Sequence, residues 1–382
     1  MVGNSLPGMR LARARRDLGI TQEELANRLG LARTTVAEIE AGKRKLAAEE
    51  LYRLCEILHR PMGYFFSPAE PESLYALRLE TEELSEPVRQ ALVELDNRLA
   101  DMRRLEAFSG VRLHSRLGQY RLTDWRSVDS AAQHIARAER TRLGVGTGPI
   151  SNLREALEER IGLLAFGHYV PSGKFSGAFA SDGERGALLF NVAHLRGRIN
   201  FTLAHEYGHS LVAEGRAHVE LRGQRESAQE RFAQRFAANF LMPLQALEEA
   251  VERFAIRPPR LSEDEALMLA SHFDVSFAAL LGRLEHFSII THDVADWLRK
   301  AVKPVARARE LSLPDPREAF PALPVTYQQM AFIAFHRGAI SRSRLAELLE
   351  ADVDDAHSMY TAWAVATLKT SDERREMGVA AH

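Results

Sequence analysis

The residues most able to do chemistry in this chain of 382 are His205-Glu206-Tyr207-Gly208-His209, set in the apolar run Phe201-Thr202-Leu203-Ala204 that predicts a helix. Histidines at i and i+4 share one helix face, so both imidazoles can reach a single metal ion. Glu206 lies one position past the first histidine, where it can take a proton from activated water instead of ligating. Five residues of this kind are only suggestive alone, and a second helix strengthens them. That helix runs from Ser227 to Leu241, is amphipathic, and is stopped by Pro243. It offers a third ligand, Glu226 or Glu230, one turn apart. Glu230 is preferred because it shares a face with Ala233, Ala237 and Leu241. Glu214 and His218 are weaker choices, since the chain would have to double back at once. Two histidines and a carboxylate, with a fourth position for water, are the ligands of a catalytic zinc site. Zinc is the expected ion and manganese the alternative, because ligand type alone does not set occupancy. Tyr207 points off the ligand face, so packing is its expected role. His168 and Tyr169, in a β-rich run, are candidates to stabilise an oxyanion, with sheet-edge residues as the plainer reading.

A second constellation lies at the other end of the chain. An arginine-rich helix, Met9 to Arg16, precedes Thr21-Gln22-Glu23-Glu24-Leu25-Ala26, where Thr21 and Glu24 form a capping box. Gly30 ends that helix and Arg33-Thr34-Thr35-Val36-Ala37-Glu38-Ile39-Glu40 begins the next. Two short helices about a tight turn are the layout of a helix-turn-helix, whose second helix lies in the major groove of DNA. Arg33, Thr34, Thr35 and Glu38 are then expected at base edges, with Val36 and Ile39 packed inward. Gln22, Lys43 and Arg44 suit phosphate contacts. Residues 8–60 hold eleven Lys/Arg against eight Asp/Glu, a modest excess that implies a dimer on two half-sites.

The elements that must position these groups follow from punctuation and hydrophobic period. Residues 8–67 read as helices turning at Gly19, Gly30, Gly42 and Pro61, followed by a Pro68–Glu72 linker. Val88, Leu92, Leu95, Leu99, Met102 and Leu105 mark one face of a helix, docked on its own domain rather than in a dimer seam. Helices are predicted over Ser130–Leu143 and Ile150–Ile161, and strands over Leu163–Val170, Phe175–Ala180 and Ala187–Val192. A long helix from Ile199 to about Ala213 carries the histidines. Residues 264–286 and 338–349 each resemble a short helix-turn-helix, with helical packing the favoured alternative. The tail after 296 is helical but irregular until 325, because five prolines interrupt it.

Composition bounds the answer. Hydrophobic residues are 46% and charged residues 27%, an ordinary globular balance, and the formal net charge is −2. That excludes nucleic-acid binding by bulk charge but not by a local patch. One cysteine, Cys55 among Leu51, Leu54 and Leu58, excludes a disulfide framework and reads as a core residue. No apolar run reaches membrane-spanning length, and the first residues lack a secretory layout, so a cytoplasmic protein without a membrane partner is expected.

The N-terminal motifs resemble the phage-repressor (Xre/Cro/cI) family of DNA-binding domains over about residues 8–67. Asn200–His209, with Glu230, Phe236-Ala237-Ala238 and Leu241-Met242-Pro243, resembles the ImmA/IrrE family of zinc-dependent metallopeptidases, beginning near residue 128. That resemblance implies a zincin-like α+β domain with His205, His209 and Glu230 as ligands and Glu206 as general base. It also implies cleavage of a repressor- or antitoxin-like protein to relieve repression. The expected chain is multidomain and mainly α. It comprises an all-α helix-turn-helix domain (8–67), a linker with an amphipathic helix (68–127), a metallopeptidase domain (128–295) and a helical C-terminal region (296–382). The competing expectation is a promoter-binding regulator or antitoxin-like component whose metal site is structural or senses a ligand.

Overall fold

Helix α1 (Leu6–Asp17), α2 (Gln22–Leu29), α3 (Arg33–Glu40) and α4 (Ala48–Leu58) pack around Leu11, Leu25, Val36, Leu54, Leu58 and Phe65. The computed structural model describes residues 6–66, 84–122, 127–171, 175–212, 218–221 and 227–376. The capping box forms as expected: Glu24 donates its amide to the Thr21 hydroxyl at 3.1 Å, and Thr21 returns its own amide to the Glu24 carboxylate at 2.6 Å. Gly30 closes α2 at φ 70°, a left-handed turn that glycine adopts without strain. Helices α1 and α3 cross backbone to backbone, since a Cβ on Gly8 would stand 2.2 Å from the Ile39 carbonyl oxygen.

Helix α5 (Glu86–Ser109) uses two faces. The expected stripe of Leu92, Leu95, Leu99, Met102 and Leu105 packs on the sheet and the C-terminal helices. The opposite side carries Val93 into the N-terminal core. Polar contacts hold that second side. Buried Arg60 donates to Asp17 at 2.8 Å, Asp96 at 2.7 Å and Asn97 at 2.8 Å, and its guanidinium lies 4.6 Å from the Tyr64 ring centre. Arg89 donates to the Leu18 carbonyl at 3.1 Å. The Pro68–Glu72 linker lies outside the described residues.

The sheet follows α6 (Val128–Arg142) and α7 (Leu153–Ile161). Its strands are β1 (Leu163–His168), β2 (Phe175–Ser181), β3 (Gly186–Asn191) and β4 (His218–Leu221), in the order β1-β3-β2-β4. The pair β1–β3 is parallel, and β2 runs antiparallel to both β3 and β4. Three strands fall on the predicted runs, and β4 was not expected. Alternation along β1 sends Leu163 and Ala165 to one core and Leu164 and Phe166 to the other, so both faces of the sheet are covered. On one face lies α8 (Arg196–Val212), and α9 (Ala228–Leu241) packs on α8 and α6.

The same core continues through α10 (Leu244–Arg253), α11 (Glu263–His272), α12 (Phe277–His286) and α13 (His292–Ala301), with α14 (Pro304–Glu310) beside α11. Helix α15 (Val325–His336) packs on α5, and α16 (Arg342–Leu349) and α17 (Val353–Glu376) follow it. The two C-terminal segments that resemble a helix-turn-helix pack into the cores, Leu269, Leu280 and Leu284 in one and Leu345 and Leu348 in the other. Pro304 opens α14 within the stretch expected to be irregular, because proline is tolerated in a first helical turn.

Replacing Arg60 strands the Asp17 carboxylate in a buried site, and an unpaired buried charge is expensive. Arg60→Met is expected to lower stability by about 3 kcal/mol. Adding Asp17→Asn should recover part of it, read from the midpoint of denaturant unfolding. Equal stability of wild type and Arg60→Met would show that the α4–α5 contact does not hold the domains together.

Candidate metal centre

Helix α8 is fixed at three points along its length. At its start, Arg196 Nε lies 3.1 and 2.9 Å from the two Asp274 carboxylate oxygens, and Asn200 donates to the Asp274 carbonyl at 3.0 Å. In its middle, β2 passes over it at Gly177, where a Cβ would stand 2.5 Å from Thr202 Cγ2 and 3.3 Å from Glu206 Cγ. Near its end, α9 crosses at Gly208, where a Cβ would stand 2.9 Å from the Phe236 ring and 3.3 Å from Ala233 Cα. The glycine inside the motif is therefore the point of closest approach of the two helices. Ser227 caps α9, accepting from the Glu230 amide at 3.0 Å, so Glu230 sits in the first turn of that helix.

This crossing brings three ligand atoms together. His205 Nε2 and His209 Nε2 are 3.0 Å apart. Glu230 Oε1 lies 3.1 Å from the first and Oε2 3.2 Å from the second. A tetrahedral zinc ion with bonds of about 2.0–2.1 Å sets its ligand atoms about 3.3 Å apart, so the donor types and the size of the triangle both fit. Both imidazoles are buried, and the Glu230 side chain is 31% exposed, so the cluster meets solvent on the Glu230 side. Partial burial pushes the Glu230 carboxyl up, but hydrogen bonds and charge from His205 and His209 outweigh it and hold the group well below the usual carboxylate range. Glu206 is fully buried beside the cluster, under β2.

Tyr207 turns the other way. Its ring packs edge-on against Phe236 and Phe240 at 5.6 and 5.7 Å, and its hydroxyl donates to the buried Glu139 carboxylate. Arg142 donates to the Tyr207 hydroxyl at 2.7 Å, and the Tyr120 hydroxyl donates to Glu139 at 2.6 Å. Burial first, then Glu139, push the Tyr120 phenol up to about 12. Sequence reading missed Glu139. Its signal was a carboxylate on the apolar stripe Ala132, Ile135, Ala136 of α6, a position that only a paired charge can occupy.

Other expected site residues lie elsewhere. His168 follows Leu164 and Phe166 onto the α5 face of β1, away from α8, where burial lowers its pKa against the charge of Glu94. Tyr169 is 64% exposed just past that strand. Strand alternation thus takes His168 away from the cluster, and it is not an oxyanion stabiliser there. Glu214 and Glu226 lie outside the described residues, and His218 begins β4.

In the N-terminal domain, Arg33, Thr34, Glu38 and Lys43 are exposed and Thr35 is half-buried along α3 and its end, while Val36 and Ile39 are buried. Gln22 donates its amide to Glu40 at 2.8 Å, and Glu40 also holds Arg15 at 2.7 Å. Arg44 donates to Glu50 at 2.8 Å. Two of the three expected phosphate contacts, Gln22 and Arg44, are thus oriented by carboxylates of their own domain, while Lys43 is exposed.

Removing the Tyr207 hydroxyl leaves the Glu139 carboxylate short of one donor, at a cost of about 1–3 kcal/mol. Tyr207→Phe is expected to melt several degrees lower yet bind zinc like the wild type, because its hydroxyl faces away from the ligands. Weakened zinc binding, by chelator competition, would place Tyr207 in the metal site instead.

Comparison with known proteins follows the same division. The family model described as helix-turn-helix matches residues 11–65, and that described as an IrrE N-terminal-like domain matches residues 167–285. An uncharacterized transcriptional regulator in the ATPase CF(0) region of Rhodospirillum rubrum is 35% identical over 63 residues. That match covers 16% of this chain and 58% of the relative's length. Among solved structures, Bacillus thuringiensis PlcR in complex with the peptide PapR7 and DNA aligns at 10% identity over 97% of this chain and 98% of that one, with a TM-score of 0.17. ComR from Streptococcus suis aligns at 12% identity over 98% and 92%, with a TM-score of 0.16. Scores this low establish no common fold. The chain thus joins a helix-turn-helix DNA-binding domain of the phage-repressor type to a metallopeptidase domain of the ImmA/IrrE family.

Proposed function

We propose that this regulator is a metal-dependent endopeptidase that cleaves a repressor- or antitoxin-like protein and so relieves repression at a promoter it binds itself. The observation that carries the reading is the triangle of His205, His209 and Glu230 with Glu206 buried beside it. Zinc is the ion that best suits two imidazoles and one carboxylate, with manganese the alternative. Bound there, it supplies a Lewis acid for a peptide carbonyl. His205 and His209 hold the ion from one helix, and Glu230 holds it from the other. Glu206 accepts a proton from the attacking water and returns it to the leaving amine. Its burial keeps bulk water from competing for that proton.

The N-terminal domain places this chemistry at DNA. Arg33, Thr34, Thr35 and Glu38 meet base edges, and Gln22, Lys43 and Arg44 meet phosphates. A homodimer would supply the second half-site that a single domain of modest charge needs. Operator DNA as a partner assigns the work to the cytoplasm. Among the described residues, no single helix is long and apolar enough to cross a membrane.

Three measurements test the reading. Elemental mass spectrometry should find about one zinc per wild-type chain and none in His205→Ala. Glu206→Gln should keep its zinc and lose target cleavage by about 100-fold or more, the usual worth of a general base. Undiminished cleavage by Glu206→Gln would end the proteolytic reading. Arg33→Ala should weaken operator binding in a mobility-shift assay while Glu206→Gln leaves it unchanged. The reverse pattern would remove α3 from the DNA interface.

A further inference from the structure

A cavity of about 520 Å³ lies at the start of α8, outside the metal cluster. Its walls are the first turn of α8, the α11–α12 turn, α14 and the segment Leu313–Glu318. The size is that of a small-molecule site, and most of the lining is apolar, including Leu267, Val275, Phe277, Val305 and Ala308.

Its charges say what kind of molecule fits. Arg196 is taken by Asp274 at 2.9 Å, and Asp315 by Arg317 at 3.0 Å and Arg309 at 3.4 Å. Glu318 is exposed at the rim and solvated. Burial, with the Arg253 charge nearby, holds the His272 pKa below its ordinary value. An ionic ligand would therefore find no spare opposite charge inside, and its own desolvation would go uncompensated. Hydrogen-bond donors are available instead. Gly197, Phe277 and Ala278 are wall residues in the first turns of α8 and α12, and no intrahelical carbonyl reaches backbone amides there. They suit an acceptor such as a carbonyl oxygen.

The same wall is mechanically tied to the histidines. Gly197 lies against the α11–α12 turn so closely that a Cβ would stand 2.4 Å from the Val275 carbonyl carbon. Arg196 donates its amide to the Pro316 carbonyl at 3.0 Å. Any ligand wedged between these segments loads the first turn of the helix that carries His205 and His209.

We propose that this cavity is an effector site for an uncharged, mainly apolar small molecule bearing a hydrogen-bond acceptor, and that its occupancy biases the metal cluster through α8. The second half of this proposal rests on the metal reading above, and the first half does not.

The probe is naphthyl methyl ketone, compared with naphthoate and naphthylmethylamine of similar size, on the full chain. Saturation-transfer NMR and fluorescence titration should show the ketone binding at least about tenfold tighter than either ion. Ala278→Phe, at an exposed position of the rim, should weaken the ketone by about tenfold. Val305→Trp gives the same test from the facing helix if the first variant folds poorly. Ketone should also shift zinc affinity, measured by chelator competition, in the wild type and not in Ala278→Phe. No ketone binding, equal binding by the ions, or equal binding by both variants overturns the site. Ketone binding with unchanged zinc affinity overturns the coupling. Ketone binding in a protein that takes up no zinc sinks the metal reading and leaves the cavity site standing.

Discussion

The crossing of α8 and α9 at Gly208 is the constraint on which the candidate centre depends. Two imidazoles on one helix define a line, and a third ligand must come from an element close enough for a short carboxylate side chain to span the gap. A Cβ at Gly208 would meet the Phe236 ring and the Ala233 backbone, so only glycine lets α9 approach this far. The Phe232, Phe236 and Phe240 face of α9 then packs beside Tyr207, and the hydroxyl of Tyr207 is satisfied by Glu139 from a third helix. Interiors are close-packed, so a shift in any of these rings would be felt at Glu230.

The sheet joins the metal centre to the DNA-binding end. One face bears on α8 through Gly177, and the other bears on α5, whose far side holds the N-terminal domain through Arg60, Arg89 and Val93. The C-terminal helices complete that second core instead of forming a separate module. Arg154 adds a latch, donating to the Ala165 carbonyl on β1 at 2.5 Å, to the Ala322 carbonyl at 3.3 Å and to Pro321. A chain built this way has few places where a local change can stay local.

Much of this was legible in residue order. Spacing of two histidines on a helix, the Thr21–Glu24 cap, the Gly30 stop and the leucine stripe of α5 are local signals, set by helical period and by backbone groups that need a partner within one turn. Three strands could be read because β-branched and aromatic runs between turn residues fit a pleated, buried surface. The same logic put Glu230 forward as a third ligand by its place on the second helix, and its carboxylate lies 3.1 and 3.2 Å from the two imidazoles.

Tertiary structure decided the rest. Whether His168 faced the centre depended on which face of the sheet α8 covers, and strand alternation then sent it to the other side. Arg60 finds its carboxylate partners, and Glu139 its tyrosine donor Tyr207, on elements distant in sequence that meet only in the folded chain. The two faces of α5 were ambiguous for the same reason, since an apolar stripe states that something is buried but not against what. Periodicity is a property of neighbours along the chain, whereas a shared carboxylate, a glycine at a helix crossing and a cavity between helix ends are properties of segments that only packing brings together.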